Sequence, residues 1–405
     1  MTKGLQGREN CDVAGDKPLR VLYMLPDFGV GGGQVILLRT VVAAQAQAGE
    51  HVVVALRSGP MQAQYDAAGV DTLVLGSDSL RDAPGALRRL ARLVRERRID
   101  VIVSLNTPED RTFAQLAGAL TRVPVAIWFM SVAIPLIKFP PPRGRELAFL
   151  KRLALFGPNV LSVRRARALM SLSDSVSESF AHHLRLGVDR FPLVPPGLPD
   201  SFYEPPLDAA GLDALREELC LQRHAGPILL NVGMLIDLKG QQELVPAWVD
   251  VRAALPGATL LLVGDGENRP LLERLIAEAG LADNVRLLGH RQDVAALLQL
   301  ADGLVSASRS EGFGMAVLEA MAARKAVVAV HTPAFDEFAT DGRSAVFVER
   351  QDRTLLAKAI IDTFGDTDRV AGLGAQARDD AERFRADKTA SLLLDVLHEA
   401  TGRRR

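Results

Sequence analysis

From residue 19 onward, short apolar runs alternate with longer stretches whose apolar positions recur every three or four residues. The runs are rich in Val, Ile and Leu with few polar positions, the pattern of strands covered on both faces. In the first half they predict strands at 19–25, 51–56, 72–75, 99–105, 123–129 and 170–173. Between them the helical spacing predicts helices at 35–48, 62–68, 84–97, 111–120 and 175–186, the first stopped by Gly49. The stretch 131–170 is less regular, with Pro135 and Pro140-Pro141-Pro142, and within it 143–156 and 164–169 have helical spacing. Residues 192–199 hold four prolines and a glycine, the composition of a boundary. The alternation then restarts, with strands at 227–232, 259–263, 285–287, 303–307, 326–330 and 345–348. Helices are predicted at 241–254, 269–279, 294–301, 315–323, 352–364 and 387–400.

Alternation at this spacing builds parallel, doubly wound sheets, so the fold class is α/β with two Rossmann-like domains. The chain divides into a tail at 1–17, a first domain at 18–196, a second at 197–384, and a helix with a basic tail at 385–405. That last helix is expected to pack back on the first domain. Two such domains facing across a linker enclose a cleft, and ligands bind at the carboxyl ends of the strands. The composition, 48% hydrophobic and 24% charged over 405 residues, is enough for two cores. A net charge of −1 argues against a nucleic-acid partner. The two cysteines, Cys11 and Cys220, form no disulfide or zinc pattern, so a reducing, cytoplasmic setting is expected. Residues 1–17 lack the apolar segment of a signal peptide, and no apolar run reaches the ~20 residues of a membrane span.

Candidate chemistry is densest at 306–330, which reads as loop, helix, loop and strand. Ser310-Glu311-Gly312-Phe313-Gly314 is a turn whose glycines can present bare backbone N–H groups. It feeds a helix, and a helix N-terminus suits a diphosphate. Glu311 and Glu319 have seven residues between them. Their carboxylates can accept from sugar hydroxyls, but the spacing alone favours a helix-start charge at Glu311 and an exposed surface residue at Glu319. Gly31, Gly32 and Gly33 lie in a loop between the first strand and the first helix. That loop is a poor dinucleotide fingerprint, because Gln34 replaces the third glycine and Arg57 and Ser58, not an acid, end the second strand. An NAD-dependent oxidoreductase is therefore disfavoured. Lys239 falls between a strand end and a helix start, a place for a phosphate ligand. His182 and His183 are adjacent on a helix and cannot share a face. No histidine pattern suggests a metal site, and none is expected.

The string EGFG, an apolar pair and EAMA resembles the signature of family-4 glycosyltransferases, retaining enzymes of GT-B fold that use nucleotide-sugar donors. The resemblance covers 227–330 best, and the first half mainly in its glycine loop and α/β order. It implies roles. Glu319 would hold the ribose, and Glu311 with the amides of Gly312, Phe313 and Gly314 the sugar. Lys239 and the amides of Gly31, Gly32 and Gly33 would stabilise the departing diphosphate. VGMLIDLKG resembles the family's phosphate loop, with Gly233 and Lys239 in place but Met234 where an Arg is expected. A charge-assisted hydrogen bond is worth roughly 1.5–3 kcal/mol, so the loss would weaken donor binding about ten- to a hundred-fold unless Arg309 or Arg291 substitutes. Arg291 is also a candidate neighbour of the base.

The first half departs further. Trp128-Phe129-Met130-Ser131 carries no histidine where the family usually has one, and Asn106 stands near another such position. Pro196-Gly197-Leu198-Pro199 replaces Asn-Gly-Val-Asp, and Ala334-Phe335 replaces a Gly-Gly pair before Glu337. The resemblance implies a retaining transferase taking a UDP- or GDP-linked sugar to an acceptor hydroxyl, without a metal. The alternative is a catalytically impaired sugar-nucleotide-binding subunit. The acceptor class, small molecule, glycan or lipid-linked, stays open. Residues 138–169 hold eight basic residues against Glu146, interleaved with apolar ones. This is either a domain helix with a solvated basic face or a weak peripheral contact with an anionic membrane, at its inner face.

Overall fold

The computed structural model describes residues 18–77, 81–105, 107–131, 163–221 and 226–402. The first domain holds β1 (Arg20–Asp27), α1 (Gly32–Gln47), β2 (Glu50–Arg57), α2 (Gln62–Ala67), β3 (Asp71–Val74), α3 (Ala83–Glu96) and β4 (Val101–Ser104). It continues with α4 (Pro108–Thr121), β5 (Val125–Phe129), β6 (Ala168–Ser171) and α5 (Asp174–Leu184). The second domain begins with α6 (Ala209–Glu218), β7 (Ile228–Val232), α7 (Gln241–Ala254), β8 (Thr259–Val263), α8 (Arg269–Glu278), β9 (Val285–Gly289) and α9 (Val294–Leu300). Then come β10 (Gly303–Ser306), α10 (Met315–Ala322), β11 (Ala326–Val330), β12 (Val346–Val348), α11 (Arg353–Phe364), α12 (Thr367–Ala381) and α13 (Ala386–Thr401).

The two six-stranded sheets have the orders β3-β2-β1-β4-β5-β6 and β12-β11-β10-β7-β8-β9. Every pairing is parallel. Read from β9, the second order repeats the first: the opening strand sits between the second and the fourth. The chain therefore winds one way from the opening strand and then the other. Because crossovers are right-handed, helices cover both faces. The central strands are buried along their length, which is why they read as continuous apolar runs. Helix starts are fixed by short polar side chains. Thr107 accepts from Asp110 N, Ser173 from Val176 N, and Asp352 from the amides of Thr354 and Leu355.

Three elements differ from the sequence expectation. The helical spacing at 164–169 is met only at 164–165; from 168 it gives way to edge strand β6, because Ala168 and Leu169 pair with Ala126 and Ile127 of β5. Helices α6 and α12 were not predicted. Only Leu215 of α6 is buried, so it carries almost no apolar period, and Gly372 and Gly374 dilute the helical signal of α12. The predicted helix at 143–156 and most of the basic segment 138–169 lie outside the described residues.

The two halves share one apolar cluster. It contains Leu37 and Val41 of α1, Leu198 and Phe202 of the linker, Leu318 of α10, and Leu393 and Leu397 of α13. The chain returns to the first half where Leu198 N donates to Phe384 O (2.7 Å) and Ala386 N to Leu198 O (2.9 Å). Helix α13 then lies against α1, with Ser391 Oγ donating to Gln47 Oε1 at 3.0 Å. A second tie crosses the cleft. The Glu337 carboxylate accepts from the amides of Asp174 (3.0 Å) and Ser175 (3.1 Å), capping α5 from the opposite domain. Among the described residues, no helix is long and apolar enough to cross a membrane.

Leu397 is fully buried at the junction of α13 with the shared cluster. Leu397→Ala is expected to destabilise the protein by about 2–5 kcal/mol, a transfer loss plus a cavity. Urea unfolding followed by circular dichroism measures this; a change under about 1 kcal/mol would mean that α13 adds little to the core.

Candidate functional site

The strand order places a crevice in each domain at the carboxyl ends of the strands where the winding reverses, beside β1 and β4 and beside β7 and β10. In the second domain the loops leaving β7 and β10 flank this point. They carry Gly233, Met234 and Lys239 on one side and Glu311 to Gly314 on the other.

The β7 loop is held against the turn after β8. Gly233 N donates to Val263 O and Leu235 N to Asp265 O, each at 2.9 Å, and Asn268 Nδ2 donates to Asp237 Oδ1 at 2.8 Å. The approach is tight at Gly264, where φ is +138° and a Cβ would stand 2.0 Å from Gly233 O. Lys239 ends a single 3-10 turn, Asp237–Lys239, and its methylenes lie over Gly233. Its Nζ donates to both Glu311 oxygens, at 2.7 and 2.8 Å. The two side chains are 19% and 15% exposed, so the pair is shielded but open on one side.

The β10 loop turns into α10 through Gly314, whose φ of +94° favours glycine and whose Cβ would meet the Phe335 ring at 2.4 Å. Phe335, the departure from the family's Gly-Gly, thus fills the space beneath this turn. Phe313 is buried and stacks on Phe338 at 5.1 Å between centroids. The first turn of α10 has no side-chain cap, leaving backbone N–H groups for a ligand. Glu319 lies a turn further on, 9% exposed at its side chain.

The first domain faces this site with the start of α1. Gly31 is its N-cap, again without a side-chain cap, and a Cβ on Gly32 would meet nothing within 4 Å. Met130, following β5, stands between the glycine loops. Its Sδ is 3.5 Å from where a Gly33 Cβ would be, and its carbonyl 4.0 Å from that of Gly312. The structure therefore brings together Lys239 with Glu311 and, through Met130, Gly33 with Gly312.

Other candidates lie differently. Met234 is 55% exposed and carries no charge to the site. Arg291 is held by Asp293 (2.6 and 2.8 Å) and Glu218 (2.5 Å), and those hydrogen bonds raise its already high basicity. Arg309 donates to Gln351 Oε1 at 2.5 Å and lies 3.8 Å from Glu243. Both arginines considered as substitutes for the missing cation thus have acidic or amide partners of their own, although Arg309 lies next to the Lys239 turn, its backbone N–H donating to Leu238 O at 2.9 Å.

Sequence reasoning missed Arg39. It extends from α1 across the cleft, and its guanidinium donates to Glu319 Oε1 at 2.7 Å. The signal was a single cation inside the apolar run Val35 to Ala44. It also missed Asp110, buried at the start of α4, beyond the carboxyl end of β4. Burial pushes the Asp110 carboxyl up to about 7, against the opposing effects of the Thr107 hydroxyl bond and the Arg111 charge. A group raised in the fold contributes stability below its unfolded pKa of about 3.9 and loses it as pH rises through about 7. Asp110→Asn cannot ionise. Its melting temperature relative to the parent is therefore expected to rise between pH 5 and pH 8, as followed by differential scanning calorimetry. A difference constant across that range would mean that Asp110 is ionised in the fold throughout.

Comparison with known proteins follows the two domains. Residues 31–197 match the family described as glycosyl transferase 4-like domain, and residues 226–366 that described as glycosyl transferases group 1. Over 275 residues the chain is 31% identical to a D-inositol 3-phosphate glycosyltransferase of Xylanimonas cellulosilytica, covering 65% of this chain and 62% of that protein. Over 214 residues it is 29% identical to a GDP-mannose-dependent alpha-(1-6)-phosphatidylinositol monomannoside mannosyltransferase of Mycobacterium tuberculosis, covering 50% of this chain and 54% of the relative. The matched stretch thus spans little more than half the length of these relatives. The crystal structure of Anabaena HepE in complex with UDP and glucose has a TM-score of 0.77 at 19% identity, covering 94% of this chain and 100% of that one, a likeness of fold.

Proposed function

We propose that this chain, which belongs to the GT-B glycosyltransferases matched by its two halves, transfers a sugar from a nucleoside diphosphate to an acceptor hydroxyl with retention of configuration. The observation that carries this reading is the Lys239–Glu311 pair beside the uncapped start of α10, at the point where the second sheet reverses its winding.

The roles follow from charge. Lys239 and the N–H groups at the start of α10 lie where a diphosphate's charge can be met, and the start of α1 faces them from the other domain. Glu311 is an acceptor-only group, suited to sugar hydroxyls, and its contact with Lys239 sets it beside the leaving group. Glu319 takes the ribose. As the sugar–phosphate bond breaks, negative charge gathers on the diphosphate, which Lys239 and the amides stabilise without reorganising. The departing phosphate oxygen takes the acceptor proton on the same face, so the reaction needs positioning more than a separate base. The donor is UDP- or GDP-linked. UDP is named with the Anabaena structure and GDP-mannose with the mycobacterial relative.

Titration calorimetry with UDP and GDP, beside a transfer assay with their sugars, tests the reading. One nucleotide is expected to bind in the micromolar range. Glu319→Ala is expected to weaken that binding by about ten-fold, the worth of a charge-assisted hydrogen bond. Glu311→Ala is expected to leave nucleotide affinity nearly unchanged while lowering turnover. Binding by the parent chain without turnover across acceptors would favour the impaired-subunit alternative, and no binding of either nucleotide would remove the donor assignment.

Neutralisation of the diphosphate by Lys239 and backbone dipoles requires no divalent ion. Transfer is accordingly expected to persist in EDTA. Loss of activity that Mg²⁺ or Mn²⁺ restores would show that a metal shares this role.

A further inference from the structure

The carboxylate assigned to the ribose is not supplied by the second domain alone. Arg39 comes from α1 of the first domain, and its guanidinium also lies over the ring of Phe202, 4.8 Å from the centroid, in the linker. Phe202 is itself buried in the cluster shared by both halves. Arg39 thus meets the linker with its face and the second domain with its edge. Its side chain is 17% exposed. A planar guanidinium fixed on a ring and bonded at its edge holds one orientation, which a lysine in its place would not.

The Glu319 side chain is nearly buried, and its Oε1 is taken by Arg39. Among the described residues, Oε2 accepts no hydrogen bond, yet it is not among the sealed, unpartnered buried atoms. One oxygen is therefore committed and the other faces accessible space. A nearly buried carboxylate stripped of its cation is left with an uncompensated charge and no contact that fixes its orientation. We propose that Arg39 is a positioning residue for nucleoside recognition: it holds the Glu319 carboxylate in place, with Oε2 turned to a ribose hydroxyl. The ribose site is then composite, built from α1, the linker and α10 together. This rests on the assignment of Glu319 to the ribose.

The test compares affinities for UDP and 2′,3′-dideoxy-UDP, or the guanosine pair if the protein prefers GDP, by calorimetry. In the parent protein the ribose form is expected to bind at least about ten-fold more tightly. Arg39→Ala is expected to weaken UDP binding to nearly that of the dideoxy form, shrinking the ratio towards one. Arg39→Lys, which keeps the charge and is the safer variant for folding, is expected to recover part of the ratio. A merely structural role would lower both affinities together and leave the ratio intact. An unchanged ratio in Arg39→Ala, or tighter UDP binding, would overturn the proposal; the latter would make the ion pair a barrier that the nucleotide displaces. If the parent binds neither form, the donor assignment itself fails, and this inference with it.

Discussion

The reversal of winding within each parallel sheet is the constraint on which the site depends. Parallel strands cannot be joined by tight turns, so each connection crosses over a face, and the right-handed rule fixes which face. Where the order turns from one direction to the other, adjacent loops leave in opposite senses and cannot fill the space between them. In the second sheet this happens between β7 and β10. Lys239 and Glu311 sit on the two loops that part there, and their ion pair spans the gap. The cation and the carboxylate are neighbours because the strand order brings their two loops together.

Around that point the protein keeps charge in matched pairs and leaves backbone dipoles unmatched. Lys239 answers Glu311, Arg39 answers Glu319, and Arg291 is held by Asp293 and Glu218. The starts of α1 and α10 carry no side-chain cap, whereas α4, α5, α11 and α12 are capped by Thr107, Ser173, Asp352 and Asp366. The starts of α2, α3, α7, α8, α9 and α13 also lack a side-chain cap, so α1 and α10 differ from these by their place at the cleft. This arrangement suits a polyanion: its charge meets one shielded lysine and two sets of fixed dipoles, none of which must be freed from a cap.

The domains are tied by contacts of different kinds. The shared apolar cluster and α13 form the permanent joint, since burial of that extent is lost only with unfolding. Glu337 on the start of α5 and Arg39 on Glu319 are polar contacts across the cleft, the second of them largely shielded from solvent.

Local pattern determined the elements. Buried parallel strands must be continuous apolar runs, so their positions were legible, while Glu311, Glu319 and Lys239 stood out as candidate chemistry through the resemblance of their motifs rather than their spacing. Helices α6 and α12 were not, because one buries a single leucine and the other is interrupted by glycines, so neither leaves an apolar period. Which strand lies beside which was decided only in three dimensions, and with it every contact that makes the site. Lys239 meets Glu311 across 72 residues, Glu337 meets Asp174 across 163, and Arg39 meets Glu319 across 280. Periodicity records what a residue does for its own helix or strand. A partner so far along the chain is chosen by strand order and by how the hinge packs, which no local window contains.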